Sequence, residues 1–376
     1  MEPMEYRINV ARAVTPGGVV EPASILIKHG RIAAVEEGAG GGEDLWAVPG
    51  FVDTHCHGAV GVSFGHPDPR ANQDAIDYHR SHGTTTLFAS TVARPLDQLQ
   101  DEITVLRQLV AAGELAGIHL EGPFLSPEKR GAHEKGLLID PTPDLVDRLL
   151  ATGGGAVKMV TLAVEREGAE ESTRRFTGSG CTVALGHSSA DAATTRASIE
   201  WGTRVATHLF NAMNSIHHRD PGPVPVLLED GRVMSELICD GFHLDPIIAR
   251  LAIDVAGVER ICLVTDAMSA TGHGDGRYVL GDLDVIVTDG KARLATADGR
   301  PGAIAGSTLT MAKAFEFVVQ EVGLGIPEAA TIAATTPAAW HGLGEVGSLE
   351  PGKWADICLV DDHGVLHHVV RRGRQM

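Results

Sequence analysis

The sequence contains few aromatic residues and no excess of positive charge. Aromatic side chains make up 4% of its 376 residues, and the formal net charge at neutral pH is -18. Nucleic acids and anionic membranes bind basic surfaces, so this charge argues against both as partners. It does not exclude an anionic small substrate, because a few local donors can dominate a pocket.

Cysteines and long apolar segments are also scarce. The chain shows no basic-then-apolar leader, and no apolar run is long enough to span a bilayer. The cysteines are odd in number and mostly stand in apolar segments, which predicts reduced, buried thiols. We therefore expect a cytoplasmic protein. The five cysteines are Cys56, Cys181, Cys239, Cys262 and Cys358.

Both ends of the chain have the short apolar runs of β-strands. Residues 5–37 contain YRINV and SILIKHGRIAAVEE, and the C-terminal tail contains WADICLV and VLHHVVRRG. Neither end could bury a sheet face alone. We predict that residues 1–49 and 345–376 join in one small β-sandwich domain, with residues 50–344 inserted between them.

The inserted segment alternates strand-like runs with stretches of helical periodicity. Such alternation implies a parallel sheet, and eight near-uniform units indicate an α/β fold of the (β/α)8 TIM-barrel type. A doubly wound open sheet is the alternative, although no strand is followed by the GxGxxG of its dinucleotide-binding version. The eight runs are GFVDTHCHG, TTTLFAS, AGIHLEG, AVKMVTLA, TVALGHS, RVATHLFN, MSELICDG and RICLVTDA.

Histidines and carboxylates mark the C-terminal parts of these runs. In a barrel the C-terminal ends of the strands converge on one mouth, so these side chains would meet there. His55 and His57 are two residues apart and therefore share one face of their strand. The full set is His55, His57, His119, Glu121, His187, His208, Asp240 and Asp266.

This set of residue types is typical of a metal site. Neutral imidazole and carboxylate oxygen are ligands of zinc and ferrous iron. One strand-end histidine is more often a hydrogen-bonded structural residue, but coincidence does not explain ligand types at five strand ends. We interpret the histidines in helical or loop settings as surface or supporting residues, namely His66, His79, His82, His217, His218, His363, His367 and His368.

Longer motifs connect the chain to a known family. The opening PGFVDTHCHG and the closing GSLEPGKWADICLVD resemble the amidohydrolase superfamily of metal-dependent hydrolases. The internal motifs are more specific and resemble the N-acetylglucosamine-6-phosphate deacetylases. They are GIHLEGPFLSPEKRGAH, ALGHSSA, ATHLFNAMNSIHHRDPG, CDGFHLD, LVTDAMSATG and IAGSTLTMAKA. The resemblance implies hydrolysis of N-acetyl-D-glucosamine 6-phosphate to D-glucosamine 6-phosphate and acetate.

The resemblance also implies a divalent metal, with one or two ions per subunit. Zinc is favoured, and iron, cobalt and manganese are alternatives. Asp266 would act as general base and acid. Some family members lack the histidines of the first strand and work with one metal, whereas this chain keeps them. The implied ligands are Glu121, His187 and His208 for the first ion, and His55, His57, Glu121 and Asp266 for the second.

Substrate contacts are implied in the same way. His133 would hydrogen-bond the acetyl oxygen or a sugar hydroxyl, and Arg219 would reach the phosphate across the interface of a homodimer. The implied substrate residues are Ala132, His133, Asn211, Ala212, Arg219, Asp240, Gly241, Phe242, His243, Ile304, Ala305 and Gly306.

Three other functions remain as alternatives. The first is the same reaction on the epimer N-acetylgalactosamine 6-phosphate, since one or two pocket contacts decide epimer choice. The second is a cyclic amidohydrolase, which usually carries a carboxylated lysine on strand four, where this chain has only Lys158. The third is a barrel without enzymatic activity, although such proteins typically lose ligands and this one retains them.

Overall fold

The middle of the chain folds into a barrel of eight parallel strands, numbered here one to eight in chain order. The computed structural model describes residues 5–38, 42–296, 300 and 302–376. Each barrel strand pairs with the next one along the chain. The strands are Phe51–Asp53, Thr84–Thr91, Gly117–Glu121, Val157–Leu162, Thr182–Leu185, Thr203–Ala206, Met234–Leu237 and Ile261–Leu263.

Helices cover the outside of the barrel. Several of them begin at an aspartate or threonine whose side chain accepts a backbone N–H of the first turn, as at Asp68, Thr142 and Asp191. After the eighth barrel helix, a short helical segment over residues 326–340 includes one π-helical turn, Thr331–Thr335. The eight barrel helices are Pro69–Ser81, Leu96–Ala111, Pro143–Gly153, Ala169–Gly178, Ala192–Trp201, Val224–Glu229, Pro246–Ala256 and Met311–Gln320. The remaining helical turns are Lys135–Leu137, Val258–Arg260, Ile326–Ala330 and Thr336–Trp340.

Backbone hydrogen bonds between the extensions of strands one and eight join the two ends of the barrel sheet. The N–H of Asp266 donates to the carbonyl of His55 at 2.8 Å, and the N–H of His57 donates to the carbonyl of Ala267 at 2.7 Å. This seam lies at the C-terminal ends of the strands. It therefore brings candidate ligands from the first and last strands side by side.

Both ends of the chain meet in a second sheet of eight strands, which packs around its own apolar residues, including Ile25, Ile27 and Ile357. The predicted fold, a TIM-type barrel with a β domain built from both ends, is confirmed. The β domain, which the sequence predicted as a sandwich, is one continuous mixed sheet. Its strands are Glu5–Thr15, Gly18–Val20, Ala23–Lys28, Arg31–Glu37, Glu43–Pro49, Ile357–Val360, Leu366–Arg371 and Arg374–Gln375.

A small antiparallel sheet, which the sequence patterns did not predict, is inserted after strand eight. It consists of Gly276–Leu280, Leu283–Thr288 and Lys291–Leu294. Its apolar face packs against Met268, two residues beyond Asp266. The insertion therefore lies beside the mouth of the barrel. A two-stranded ribbon, Gly58–Ala59 with Val62–Ser63, follows strand one.

The cysteines are buried, as predicted, and the helices agree with the absence of long apolar runs in the sequence. All five cysteines are buried and free. Cys56 packs against the first barrel helix, where its sulfur lies 3.2 Å from Nε2 of His79. Among the helices of the described residues, none combines the length and apolar content needed to cross a bilayer.

His79 is a buried histidine held in its neutral form. Its Nε2 lies 3.0 Å from the carbonyl oxygen of Gly58, and its Nδ1 is buried with no hydrogen-bond partner. A second proton would therefore bury an unpaired N–H. Burial is the main cause that lowers the pKa of His79 to about 4.

We expect His79 to make the fold sensitive to acid. Its pKa is about 4 in the folded chain and 6.5 in the reference state, so the unfolded chain binds more protons between these values. The stabilisation is complete above pH 6.5 and decreases as the pH falls towards 4, by on the order of 3 kcal/mol. Urea unfolding measured across this range should show a smaller loss of stability for His79→Gln than for the wild type. An equal loss in His79→Gln and the wild type would contradict this expectation. The control is His363→Gln, because His363 is exposed.

Candidate metal centre

The predicted metal ligands meet at the C-terminal mouth of the barrel, around the carboxylate of Glu121. Nε2 of His187 and Nε2 of His208 each lie 3.1 Å from Oε1 of Glu121. The two imidazole nitrogens are 3.0 Å apart, and all three side chains are buried. Strands three, five and six therefore present donor atoms to one point.

A second group of donors adjoins the first, on the side of strands one and eight. Nε2 of His57 lies 3.2 Å from Oε2 of Glu121 and 3.2 Å from Oδ1 of Asp266. Nε2 of His55 lies 3.3 Å from Nε2 of His57. Glu121 borders both groups, so the six residues predicted as ligands form one continuous cluster.

The backbone is strained where three of these residues leave their strands. The φ angles of His187, His208 and Asp266 are 47°, 30° and 49°. In this left-handed region a non-glycine residue costs about 1 to 3 kcal/mol. Such strain persists where the surrounding structure enforces it, and it is concentrated at functional sites. The three residues reach the mouth from sharp turns just beyond strands five, six and eight.

The hydrogen bonds of His187 indicate that a cation belongs beside it. Its Nδ1 lies 2.8 Å from the carbonyl of Lys129, so Nδ1 carries the proton and Nε2 presents a lone pair to Glu121. A lone pair facing a carboxylate at this distance is repulsive unless a proton or a metal ion lies between them. Two ligands of one zinc ion, each about 2.1 Å from it, stand about 3.0 to 3.4 Å apart. The donor types and the spacing therefore fit a divalent metal.

Two other buried histidines do not have a nitrogen available for a metal. His133 accepts the backbone N–H of Ala93 at Nδ1, at 3.3 Å. Burial lowers the pKa of His133, so the neutral ring carries its proton on Nε2 and acts as a donor there. His119 lies close to the hydroxyls of Ser90 and Thr161, at 2.9 and 2.8 Å. Both of its nitrogens are thus already engaged.

The cluster requires positive charge. Burial opposes protonation of His57, yet hydrogen bonds to Asp266 and Glu121 raise its pKa to about 9. Burial also opposes protonation of His55, but Glu121, Glu236 and Asp266 hold its pKa well above the usual range. In the absence of a metal, protons must therefore balance the buried carboxylates. A divalent cation would supply the same charge without them.

A cavity of about 390 Å³ opens above the cluster. His57, Glu121, His187, His208 and Asp266 are among its lining residues. Most of the predicted substrate residues lie on its walls, namely Ala132, His133, Asn211, Ala212, His243, Ile304 and Gly306.

The other predicted substrate residues do not line this cavity. Arg219 is exposed, and its guanidinium lies 2.6 Å from Nε2 of His218. Phe242 is 42% exposed, with the ammonium of Lys291 4.5 Å from its ring centre. Ala305 is buried in the inserted sheet, where its N–H donates to the carbonyl of Ala292.

Asp240 and Gly241 support the cavity wall indirectly. The Asp240 carboxylate accepts the backbone N–H groups of Phe242 and His243 at 2.8 Å each, and it lies 2.8 Å from Nδ1 of His243. Gly241 has a φ of 74°, which a residue without a side chain adopts at little cost. This turn fixes the ring of His243 at the cavity.

Sequence reasoning missed several residues at the site. Glu236 is fully buried in strand seven, and its carboxylate lies 3.1 Å from Nδ1 of His55. A carboxylate inside the apolar run MSELICDG is an unusual feature that could have indicated it. Lys129 and Leu280 also line the cavity. Leu280 gave no signal, because it belongs to the inserted sheet that the barrel pattern does not include.

Comparison with known proteins identifies the class of protein. The model of the amidohydrolase family matches residues 46–376. The chain belongs to the amidohydrolase family. The resemblance predicted from the sequence motifs is thereby confirmed at the level of the family.

The chain is similar to relatives that are named as deacetylases of acetamido sugar 6-phosphates. The chain is 35% identical to N-acetylglucosamine-6-phosphate deacetylase from Bos taurus, over 93% of this chain and 87% of the relative. It is 33% identical to N-acetylgalactosamine-6-phosphate deacetylase from Escherichia coli O157:H7, over 95% and 96%.

The chain is also similar to solved structures of N-acetylglucosamine-6-phosphate deacetylases. A mutant N-acetyl-D-glucosamine-6-phosphate deacetylase from Mycobacterium smegmatis, in complex with N-acetyl-D-glucosamine-6-phosphate, is 39% identical and superimposes with a TM-score of 0.95. The match covers 99% of both chains. The N-acetylglucosamine-6-phosphate deacetylase from Thermotoga maritima is 31% identical, with a TM-score of 0.89 and coverage of 98% and 99%.

We expect Glu121→Gln to lose bound metal, because Glu121 borders both groups of donors and an amide is a neutral, weaker ligand. Elemental analysis after gel filtration should find metal in the wild type and little or none in the variant. Glu128→Gln is the matched control, since Glu128 lines the same cavity from an exposed position. Equal metal content in Glu121→Gln and the wild type would contradict the proposed centre.

Proposed function

We propose that this chain hydrolyses the N-acetyl group of N-acetyl-D-glucosamine 6-phosphate, giving D-glucosamine 6-phosphate and acetate. The observation that carries the proposal is the position of Asp266. Its carboxylate lies 3.2 Å from Nε2 of His57 and lines the cavity next to the metal-ligand cluster. The similarity over nearly the whole chain to deacetylases of this substrate supports the same conclusion.

Glu121, His187 and His208 would hold the first divalent metal. His55, His57, Glu121 and Asp266 would hold a second ion. A bound divalent metal activates water at neutral pH and polarises a carbonyl oxygen. Imidazole and carboxylate donors favour zinc, and the same donors accept iron, cobalt or manganese.

Asp266 would transfer the proton during hydrolysis. Burial tends to raise the pKa of Asp266, but hydrogen bonding to His57 and the charge of His55 hold it below the usual range. The carboxylate is thus ionised at neutral pH and can accept a proton from the attacking water. It would then donate this proton to the nitrogen of the departing amine.

His133 would stabilise the negative charge that develops on the acetyl oxygen. Its proton is on Nε2, because Nδ1 accepts the N–H of Ala93. The ring is buried and lines the cavity. A donor fixed in this way needs no rearrangement when the charge develops, which is how an oxyanion site accelerates acyl transfer.

The phosphate group would be bound at the rim of the cavity. His243 and the segment of Asn211 and Ala212 line the cavity. Arg219 would approach from the second subunit of a homodimer. Its exposure outside the cavity of its own chain supports this arrangement. The free cysteines support a cytoplasmic location, where thiols stay reduced.

The galactosamine epimer is a second candidate substrate. The Escherichia coli relative, which is 33% identical, carries that name. The two epimers differ only in the orientation of one hydroxyl group. A deacetylation assay of both 6-phosphates after chelation and metal restoration would compare them. A higher kcat/KM for the galactosamine compound would make that compound the substrate. The proposed hydrolysis of the N-acetyl group would be unchanged.

Asp266→Asn should fold and retain metal at Glu121, His187 and His208, but it should lose turnover. General acid and base catalysis contributes about 100- to 10,000-fold, and the amide cannot accept the proton. We expect kcat to fall by that factor. Acetate release and metal content should be measured together on the same preparation. Turnover near the wild-type value with metal bound would contradict the proposed role.

Arg219→Ala should raise KM for the phosphorylated substrate about 10- to 100-fold, the value of a hydrogen bond to a charged group. The unphosphorylated sugar should be affected much less. Arg250→Ala is the control, because Arg250 is exposed and pairs with Asp254.

A mixed dimer tests whether the arginine acts across the interface. Co-expression of Arg219→Ala with Asp266→Asn leaves one site per dimer with an intact Asp266 and a partner that still has Arg219. That site should regain a wild-type KM. Failure to regain it in a verified mixed dimer would contradict the shared site.

A further inference from the structure

Glu236 occupies a position that the proposed mechanism does not use. It lies on strand seven, inside the barrel and below the cavity, and its exposed fraction is 0%. A buried carboxylate is costly unless its oxygens find partners. Three donors surround it. The hydroxyl of Thr54 lies 3.3 Å from Oε1, and the backbone N–H of His208 and Nδ1 of His55 lie 3.3 and 3.1 Å from Oε2.

The contact with His55 determines which nitrogen of that ring is free. A carboxylate can only accept, so Nδ1 of His55 must carry the proton. In the neutral ring, which is the form that binds a metal, Nε2 then has the lone pair, and it lies 3.3 Å from Nε2 of His57 and 3.4 Å from Oε1 of Glu121. In the other tautomer, Nδ1 would present a lone pair to Glu236 within the buried interior. Repulsion between this lone pair and the buried carboxylate disfavours that tautomer.

The other two contacts fix the carboxylate itself. Thr54 follows strand one and directly precedes His55, whereas His208 lies just beyond strand six. Glu236 is therefore held from two other strands, so it can orient the imidazole instead of following it. Carboxylates placed behind metal-binding histidines orient the ring and make the free nitrogen more basic.

We propose that Glu236 is a positioning residue for the metal centre, which orients His55, directs its Nε2 towards the second metal ion and, through its negative charge, makes that nitrogen a stronger ligand. This inference rests on the proposed metal-dependent function. It explains how the second ion would be held in a chain that retains His55 and His57, because Glu236 fixes the ring of His55. Loss of such a carboxylate typically weakens metal binding about 10- to 100-fold.

Glu236→Gln separates charge from shape. The amide oxygen can take the position that faces His55 and His208, and the amide nitrogen can donate to Thr54. The variant should therefore fold, retain the first ion, and bind the second about 10- to 100-fold more weakly. Zn²⁺ affinities would be measured by competition with a chelator, and zinc per chain by elemental analysis. Glu102→Gln is the control, because Glu102 is a largely buried carboxylate paired with Arg94 away from this site.

A double-mutant comparison tests whether the effect passes through His55. Adding Glu236→Gln to His55→Asn should cause no further loss of zinc affinity, since the ring that Glu236 orients is absent. Nitrogen-15 spectra of the zinc-loaded wild type should show His55 protonated at Nδ1 and bound to zinc at Nε2. A purely structural role of Glu236 would give the same loss of zinc affinity with and without the His55 ring.

The outcomes distinguish this inference from the proposed function. Unchanged affinity for both ions in Glu236→Gln, or equal losses with and without His55, would overturn the role of Glu236. A wild-type chain that binds none of zinc, iron, cobalt and manganese would overturn the metal-dependent function itself. Weakened binding of the second ion in Glu236→Gln, absent in the His55→Asn background, would support the inference.

Discussion

The organisation of the site depends on one constraint, the burial of the Glu121 carboxylate among imidazoles at the mouth of the barrel. A buried carboxylate needs compensating positive charge, and its neighbours His187 and His208 stand at distances typical of ligands that share an ion. The surrounding polar groups follow from this requirement. His187 and His208 point a ring nitrogen at this carboxylate, and the carbonyl of Lys129 determines which nitrogen of His187 does so.

The histidines at the mouth are alike in sequence but differ in chemistry, because their second hydrogen bonds differ. The carbonyl of Lys129 accepts a hydrogen bond from the Nδ1–H of His187, so Nε2 faces Glu121. In His133 the arrangement is reversed. The backbone N–H of Ala93 donates to Nδ1, so the proton of the ring is on Nε2, which can donate. One residue type therefore presents a hydrogen-bond acceptor at one position and a hydrogen-bond donor at another. The choice between them is made by backbone groups on other elements.

The barrel supplies rigidity where the chemistry needs it. His187, His208 and Asp266 sit in left-handed backbone conformations just beyond their strands. Strands on both sides hold these turns, so the cost of the strain is met by the stability of the whole barrel. The seam between strands one and eight adds His55 to the same rigid frame. Loops without such support would not hold donors at fixed distances.

Local pattern was enough to predict the barrel and most of the ligand cluster. Alternating strands and helices specify a parallel barrel, and a barrel brings all strand ends to one mouth. His55, His57, Glu121 and Asp266 were therefore predictable from their positions at strand ends. The inserted sheet was not predicted, because its short strands do not belong to the repeating unit.

The sequence by itself determined which residue types reach the mouth of the barrel, since side-chain alternation and strand ends are local properties. Only the tertiary structure decided what each of them does there. The roles of His119 and His133 depend on hydrogen bonds from residues distant in the chain. Glu236 supports His55 from 181 residues away. Protonation and ligation are set by such distant neighbours, because the proton on an imidazole goes to whichever nitrogen meets an acceptor in the folded chain.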